Sequence, residues 1–129
     1  MSEANINLVK SLYDAFGRRD QVAIMGLVDS AIEIRQCNQL PWGGSYRGLL
    51  GLRDFFTKLL SNVDSQLDRN EFVDAGDDVV MIGRTRGTTK AKGTPFDVAA
   101  IHVWTVRNGK IVAFHPYIDT PAMLKVLAA

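Results

Sequence analysis

The dipeptide Asn108-Gly109 sits between two long runs rich in apolar residues, Phe96 to Val106 and Ile111 to Ile118. Both of its residues tolerate the positive φ that a type I′ turn demands at its two central positions, so the pattern predicts a two-residue β-hairpin. That hairpin constrains the whole C-terminal half of the chain. With Arg107 paired to Lys110, a regular ladder sets His102 opposite His115, Trp104 opposite Ala113, Ala100 opposite Tyr117 and Val98 opposite Asp119. Phe96, Val106 and Ile111 share that face. The other face holds Ala99, Ile101, Val103, Val112, Phe114, Pro116 and Ile118 and is almost wholly apolar. A β-bulge in either strand would slip this register.

Working back from the hairpin, Asp64 to Asp119 reads as a meander of four strands, with earlier turns at Asp74-Ala75-Gly76-Asp77 and Lys92-Gly93-Thr94-Pro95. Ahead of it lie three helical patterns. Ser2 is a good N-cap for a first helix carrying Ile6, Val9, Leu12, Tyr13 and Phe16, which Gly17 should stop. Asp20 can cap a shorter second helix with Val22, Ile24, Leu27 and Val28. Leu49, Leu52, Phe55, Phe56, Leu59, Leu60 and Val63 make the strongest amphipathic stripe, the third helix. Between the second and third, Ala31 to Cys37 alternates like a strand, and Pro41, Gly43, Gly44 and Gly48 make Asn38 to Gly48 a loop. Thr120 followed by Pro121 reads as N-cap and first residue of a short final helix, Ala122 to Leu127. Helices gathered on one face of a mostly antiparallel sheet define an α+β domain.

A length of 129 residues suits one domain, residues 1–129, and hides about two-thirds of the surface the unfolded chain exposes. Fifteen basic residues stand against fourteen acidic ones with no run of like charge, so neither a nucleic-acid footprint nor a membrane-surface patch is expected. Cys37 has no second cysteine with which to form an internal disulfide. The N-terminal segment lacks the pattern of a signal peptide, and no apolar run approaches the roughly 20 residues of a membrane span. A cytoplasmic location is the expectation. Strands that are apolar on both sides are usually covered on both sides, and helices in so small a domain cover only one. A second copy packed sheet to sheet is therefore expected.

The segment Leu40-Pro41-Trp42-Gly43-Gly44-Ser45-Tyr46-Arg47-Gly48, together with Asn108-Gly109-Lys110-Ile111 and Tyr117-Ile118-Asp119-Thr120, resembles the nuclear transport factor 2-like superfamily, specifically its ketosteroid-isomerase-related and SnoaL-like members. The resemblance covers essentially the whole chain. It implies a cystatin-like cone: a curved, mostly antiparallel sheet with the three N-terminal helices on its concave face, a short C-terminal helix, and a pocket inside. It does not imply one reaction, because the fold hosts enzymes, binders and assembly domains. The true ketosteroid isomerases use a carboxylate base, a tyrosine and a protonated carboxylic acid. These positions fall here at Arg35 or Gln36, at Leu12 and at His102, and Tyr13 is turned about 100° away from Leu12. Steroid isomerisation is not expected.

His102, in the middle of an apolar strand, is the first candidate for proton transfer, since an ordinary imidazole titrates near neutral pH. Its bland alternative is a core histidine satisfied by one hydrogen bond. Asp119 is the second catalytic candidate, by resemblance to the acid that SnoaL-like cyclases carry near the end of the chain; equally, it can favour the positive end of the final helix. It lies about 13 Å along the strand from His115, too far for a His–Asp dyad. Two histidines without a third nearby ligand do not make a metal site, so neither metal nor cofactor is expected. Arg35, Gln36, Trp42, Tyr46, Trp104, His115 and Tyr117 are the candidate ligand-binding residues, with Trp42 equally able to plug the core. Arg84 and Arg86 read as cross-strand partners of Asp68, Glu71 or Asp97. Two readings stand. One is a small-molecule pocket protein for a hydrophobic carbonyl compound, which if catalytic runs cofactor-free isomerisation, cyclisation or hydration. The other is a non-catalytic binding or dimeric assembly module.

Overall fold

The computed structural model describes residues 2–129. Its order is α1 (Ser2–Arg18), α2 (Gln21–Leu27), β1 (Val28–Gln36), β2 (Gly44–Arg47), α3 (Gly48–Asn62), β3 (Val63–Ala75), β4 (Asp78–Thr89), β5 (Pro95–Arg107), β6 (Lys110–Ile118) and α4 (Thr120–Ala128). Ser2 opens α1, and the expected cap by its side chain lies outside the described residues. Gly17 does not stop this helix. Arg19 does, at φ 59°, with the N–H of Asp20 on Ala15 O and that of Arg19 on Phe16 O, the paired closing bonds of a Schellman end. Asp20 then caps α2 as expected, its carboxylate accepting from Ala23 N at 3.1 Å.

The six strands form one sheet in the order β2-β1-β6-β5-β4-β3, antiparallel throughout except for the parallel β1–β6 pair. The expected loop from Asn38 to Gly48 is interrupted by β2, which pairs with β1 from Glu33–Arg47 to Gln36–Gly44. Four residues between glycines carry too little periodicity to be legible as a strand, and only the free edge of β1 gives them a partner. The long strands β3 and β4 approach most closely where side chains are absent. A Cβ on Gly83 would fall 1.8 Å from Asp68 O, and one on Gly87 1.9 Å from Asp64 O. Only glycine lets β4 come this close to β3.

The final hairpin turns as predicted, with Asn108 at φ 52° and Gly109 at φ 72°. Its ladder then departs from the regular one. Arg107 pairs with Lys110 and Val106 with Ile111, but Thr105 faces Ala113, so Val112 is an extra residue. Beyond this bulge every β6 side chain changes face. His102 stands opposite Pro116, not His115, and His115 stands opposite Val103 on the convex side. The packing explains the slip. Phe114 turns inward to stack on Trp104 at 3.9 Å between ring centroids, nearly parallel. Burying a phenylalanine gains about 1.5–3 kcal/mol, more than the roughly 1 kcal/mol of one disturbed ladder hydrogen bond.

The concave face therefore presents Phe96, Val98, Ala100, His102, Trp104 and Phe114 to the helices, and the core gathers Leu12, Ile32, Ile34, Trp42, Phe55 and Met123 around them. On the convex face Arg84 pairs with Asp97 at 2.6 Å and Arg86 with Asp68 at 2.8 Å, as the sequence led one to expect. Between these pairs and the bulge, Ile82 (37% exposed) and Ile101 (41% exposed) stay open to solvent. No helix among the described residues is long and apolar enough to cross a membrane.

Candidate functional site

The interior polar centre is a chain of three side chains. Trp104 Nε1 donates to the Tyr13 hydroxyl at 2.8 Å, and that oxygen lies 2.8 Å from His102 Nδ1. Trp104 and His102 come from alternate positions of β5, which a strand always sets on one face. Tyr13 comes from α1, on the stripe of Val9 and Phe16 that turns toward the sheet. The surrounding walls are aromatic. Phe114 meets His102 edge-on at 5.1 Å, and Phe72 meets Tyr13 edge-on at 6.1 Å. The Arg69 guanidinium lies 5.4 Å over the Tyr13 ring and is itself paired with Asp14 at 3.2 Å.

Proton placement in this chain follows from donor chemistry. An indole N–H can only donate, so it occupies a lone pair of the Tyr13 oxygen and leaves the phenol proton free to go to Nδ1. The phenol oxygen keeps a second lone pair, but among the described residues Nδ1 is the one acceptor its proton meets, so a neutral His102 carries its own proton on Nε2. Burial enforces that neutral state, pushing the His102 pKa down from 6.5 to about 3. Burial likewise raises Tyr13 well above the usual phenol range, although the Trp104 hydrogen bond and the Arg69 charge pull the other way. Tyr13 therefore stays a hydroxyl. Among the described residues Nε2 of His102 has no protein partner, and no side-chain nitrogen or oxygen sealed from solvent is left unpartnered. That nitrogen therefore reaches open space, and the ring is partly exposed despite its dense surroundings.

His102 lies on the concave face of β5, and its chemistry differs from the acid–base role read from the sequence. With a pKa near 3 it is a weak base, and near neutral pH it is a standing N–H donor. Tyr13 was missed. The apolar stripe already contained it, but placing the isomerase tyrosine at Leu12 turned it away; Leu12 is fully buried, and Tyr13 makes the contact. Trp104 joins the site through its indole nitrogen.

The remaining predicted residues lie elsewhere. Asp119 is exposed and caps α4, its carboxylate accepting from Ala122 N at 3.1 Å; the expected cap, Thr120, is already inside the helix. Trp42 is only 2% exposed and plugs the core. The Tyr46 hydroxyl donates within its own loop, 3.1 Å from Trp42 O and from Gly43 O. Arg35, Gln36, His115 and Tyr117 are brought together, but around a separate depression of about 250 Å³ where β1 and β6 end. The bulge moved His115 and Tyr117 out of the cone. Among the described residues no three His, Cys, Asp or Glu side chains stand close enough to hold a metal ion.

A domain of this shape, with a histidine donor inside a cone of helices and curved sheet, is of the nuclear transport factor 2-like type. The sequence model of the SnoaL-like domain family matches residues 9–114, and the chain belongs to that family. No curated protein matches the chain. Among solved structures, a nuclear transport factor 2-like protein of Burkholderia xenovorans superposes with a TM-score of 0.90 at 26% identity, over 98% of each chain. One from Burkholderia thailandensis reaches 0.84 at 32% identity, covering 94% of this chain and 95% of its own. TerC, co-crystallised with polyporic acid, reaches 0.87 at 25% identity, covering 98% of this chain and 99% of its own.

Proposed function

We propose that the chain binds a small hydrophobic carbonyl compound at the mouth of the cone, with His102 Nε2–H donating to the carbonyl oxygen. The observation that carries this reading is the Trp104–Tyr13–His102 relay, which uses up Nδ1 and leaves a neutral imidazole with one free donor. Aromatic walls with a single placed donor are what a carbonyl on an apolar skeleton requires. The co-crystallisation of TerC with polyporic acid supports a small organic molecule as the ligand class.

The same donor would strengthen its hydrogen bond as charge grows on the oxygen, so it can serve enolisation, hydration or cyclisation as a polarising group. It does not supply the base. Burial shifts His102 so far down that near neutral pH it donates and does not take up a proton. Binding is accordingly the primary function proposed, with cofactor-free catalysis limited to polarisation.

The test is thermal unfolding with a panel of hydrophobic ketones and quinones beside the matching hydrocarbons. A ligand at about 100 times its Kd adds about 2.7 kcal/mol of stability. Carbonyl compounds should raise Tm in the native chain and much less in His102→Phe. Equal shifts from ketone and hydrocarbon, or an unchanged response in His102→Phe, would refute the role of His102.

A second reading concerns the convex face, where Val80, Ile82, Ile101 and Val103 form a patch beside ion pairs that already satisfy each other. A second copy is the proposed cover. It presents the same apolar patch, and the arginines Arg84 and Arg86 beside it are already matched by Asp97 and Asp68.

A further inference from the structure

The interior relay has a charged rim where α1 meets β3. Arg69 of β3 pairs in register with Gly83, and Gly83 with Ala100, so Arg69 leaves the same concave face as His102, two residues beyond Ala100 on β5. Asn70 is an extra residue between the Arg69–Gly83 and Glu71–Ile82 pairs, which sends Glu71 to the convex face with Ile82. Asp68 goes there too, opposite Arg84, and is held by Arg86. From α1, the Lys10 ammonium lies 5.2 Å over the Phe72 ring, and Asp14 faces Arg69. Two cations therefore stand beside the Tyr13 and Phe72 rings, and among the described residues Asp14 is the one carboxylate paired with either.

Arg69 also has donors to spare. Arg84 and Arg86 each donate twice, to Asp97 and to Asp68, whereas Arg69 makes a single bond, to Asp14 at 3.2 Å. A guanidinium carries five N–H donors. The Arg69–Asp14 pair is open to water, with side chains 36% and 58% exposed, and such a pair holds weakly enough to yield to a competing anion. Its place relative to the relay is fixed by the Tyr13 ring. The guanidinium lies 5.4 Å from the centre of that ring, and the His102 ring lies 6.0 Å from it. Cation and imidazole are separated by no more than the sum of these distances, and a carbonyl and a carboxylate set para on one benzene ring fit within it.

We infer that the carbonyl compound held by His102 carries an acidic group as well, bound at this rim by the idle N–H groups of Arg69 with Lys10 as a second positive charge. The inference rests on the donor role proposed above for His102 and names the substrate class of that site: an aromatic keto acid, with its ketone on Nε2–H and its anion on Arg69. A guanidinium grips a carboxylate through directed hydrogen bonds, while the lysine acts as a point charge.

The probe is 4-benzoylbenzoate, with its methyl ester as the neutral ketone of the same shape. Calorimetric titration of the full chain at low salt should find the acid bound at least about tenfold more tightly than the ester, with the gap narrowing as salt is added. Arg69→Gln should erase that gap while leaving the ester's affinity as it was, and Arg86→Gln, on the convex face, should leave both ligands unchanged. His102→Phe should weaken acid and ester alike. If the ester binds and the acid binds no tighter, or if Arg69→Gln weakens both equally, the acidic group is removed from the account while the carbonyl reading stands. If neither ligand binds, the carbonyl reading falls and takes this inference with it. A loss in Arg86→Gln as large as in Arg69→Gln would likewise overturn the inference, since the attraction would then come from overall charge and not from the rim.

Discussion

Replacing His102 with phenylalanine should change how stability depends on pH, and the size of that change follows from the interior relay. In the folded chain burial holds the His102 pKa at about 3, against an ordinary value of 6.5 when unfolded. Between those limits the unfolded chain takes up a proton that the folded chain refuses. The stability due to a neutral His102 is thus fully present above pH 6.5 and is lost as pH falls from 6.5 toward 3. The slope approaches about 1.4 kcal/mol per pH unit. Integrated, the loss is about 2 kcal/mol between pH 7 and 5 and about 3 kcal/mol by pH 4. For a domain with roughly 5–15 kcal/mol in total this is a large share. Phenylalanine keeps a ring against Phe114 and Trp104 but does not titrate. It leaves the Tyr13 hydroxyl without its acceptor, a fixed penalty at every pH. Urea unfolding followed by tryptophan fluorescence at pH 7, 6, 5 and 4 measures both proteins. Carboxylates common to both cancel in the difference. The native chain should lose about 2 kcal/mol more than His102→Phe by pH 5 and about 3 kcal/mol more by pH 4. Parallel pH profiles would refute the argument, because His102 would then be titrating as it does in water.

Tyr13→Phe removes the middle of the relay and strands both the indole N–H and Nδ1. At about 1–3 kcal/mol for each unsatisfied group it should cost about 2–6 kcal/mol in urea unfolding, whereas a loss under about 0.5 kcal/mol would mean that the hydroxyl is not shared. Asp119→Ala should cost about 1 kcal/mol through α4 and leave the ketone-induced Tm shift intact; loss of that shift would return Asp119 to the ligand site. Gly83→Ala should destabilise by about 1–3 kcal/mol or more, since its Cβ meets a backbone oxygen that no rotamer change can move. Ile101→Glu should leave the fold intact and shift sedimentation from dimer to monomer; a native chain that is already monomeric at every concentration would remove the second copy from the account.

Much of the fold was legible because it rests on local chemistry. Asn108-Gly109 announces its turn through two residues that accept positive φ, and the stripe from Leu49 to Val63 announces α3. What was not legible depends on partners distant in the chain. The bulge at Val112 arises from the packing of Phe114 on Trp104, and no propensity within Lys110–Ile118 encodes it. It alone separated His115 from His102. The helix-ending role of Arg19 is equally hidden, because glycine two residues earlier is the better local signal. Thr120 and Asp119 are both good caps. The ladder decides between them, since Asp119 N still bonds to Ala99 O at 3.0 Å and the helix can begin only after it. His102 was found as the odd polar residue on an apolar strand, but its low pKa comes from walls contributed by other elements. Tyr13 was lost to a one-residue ambiguity on α1, where neighbouring positions differ by about 100°.

The central claim is a neutral His102 whose only free proton, on Nε2, faces a ligand. Long-range 1H–15N correlation on the histidine rings at pH 7, before and after addition of a hydrophobic ketone, reads that proton directly. The account predicts an unprotonated Nδ1, a protonated Nε2, and a ligand-dependent shift confined to Nε2. A proton on Nδ1, a doubly protonated ring, or an Nε2 signal indifferent to every ketone would contradict it.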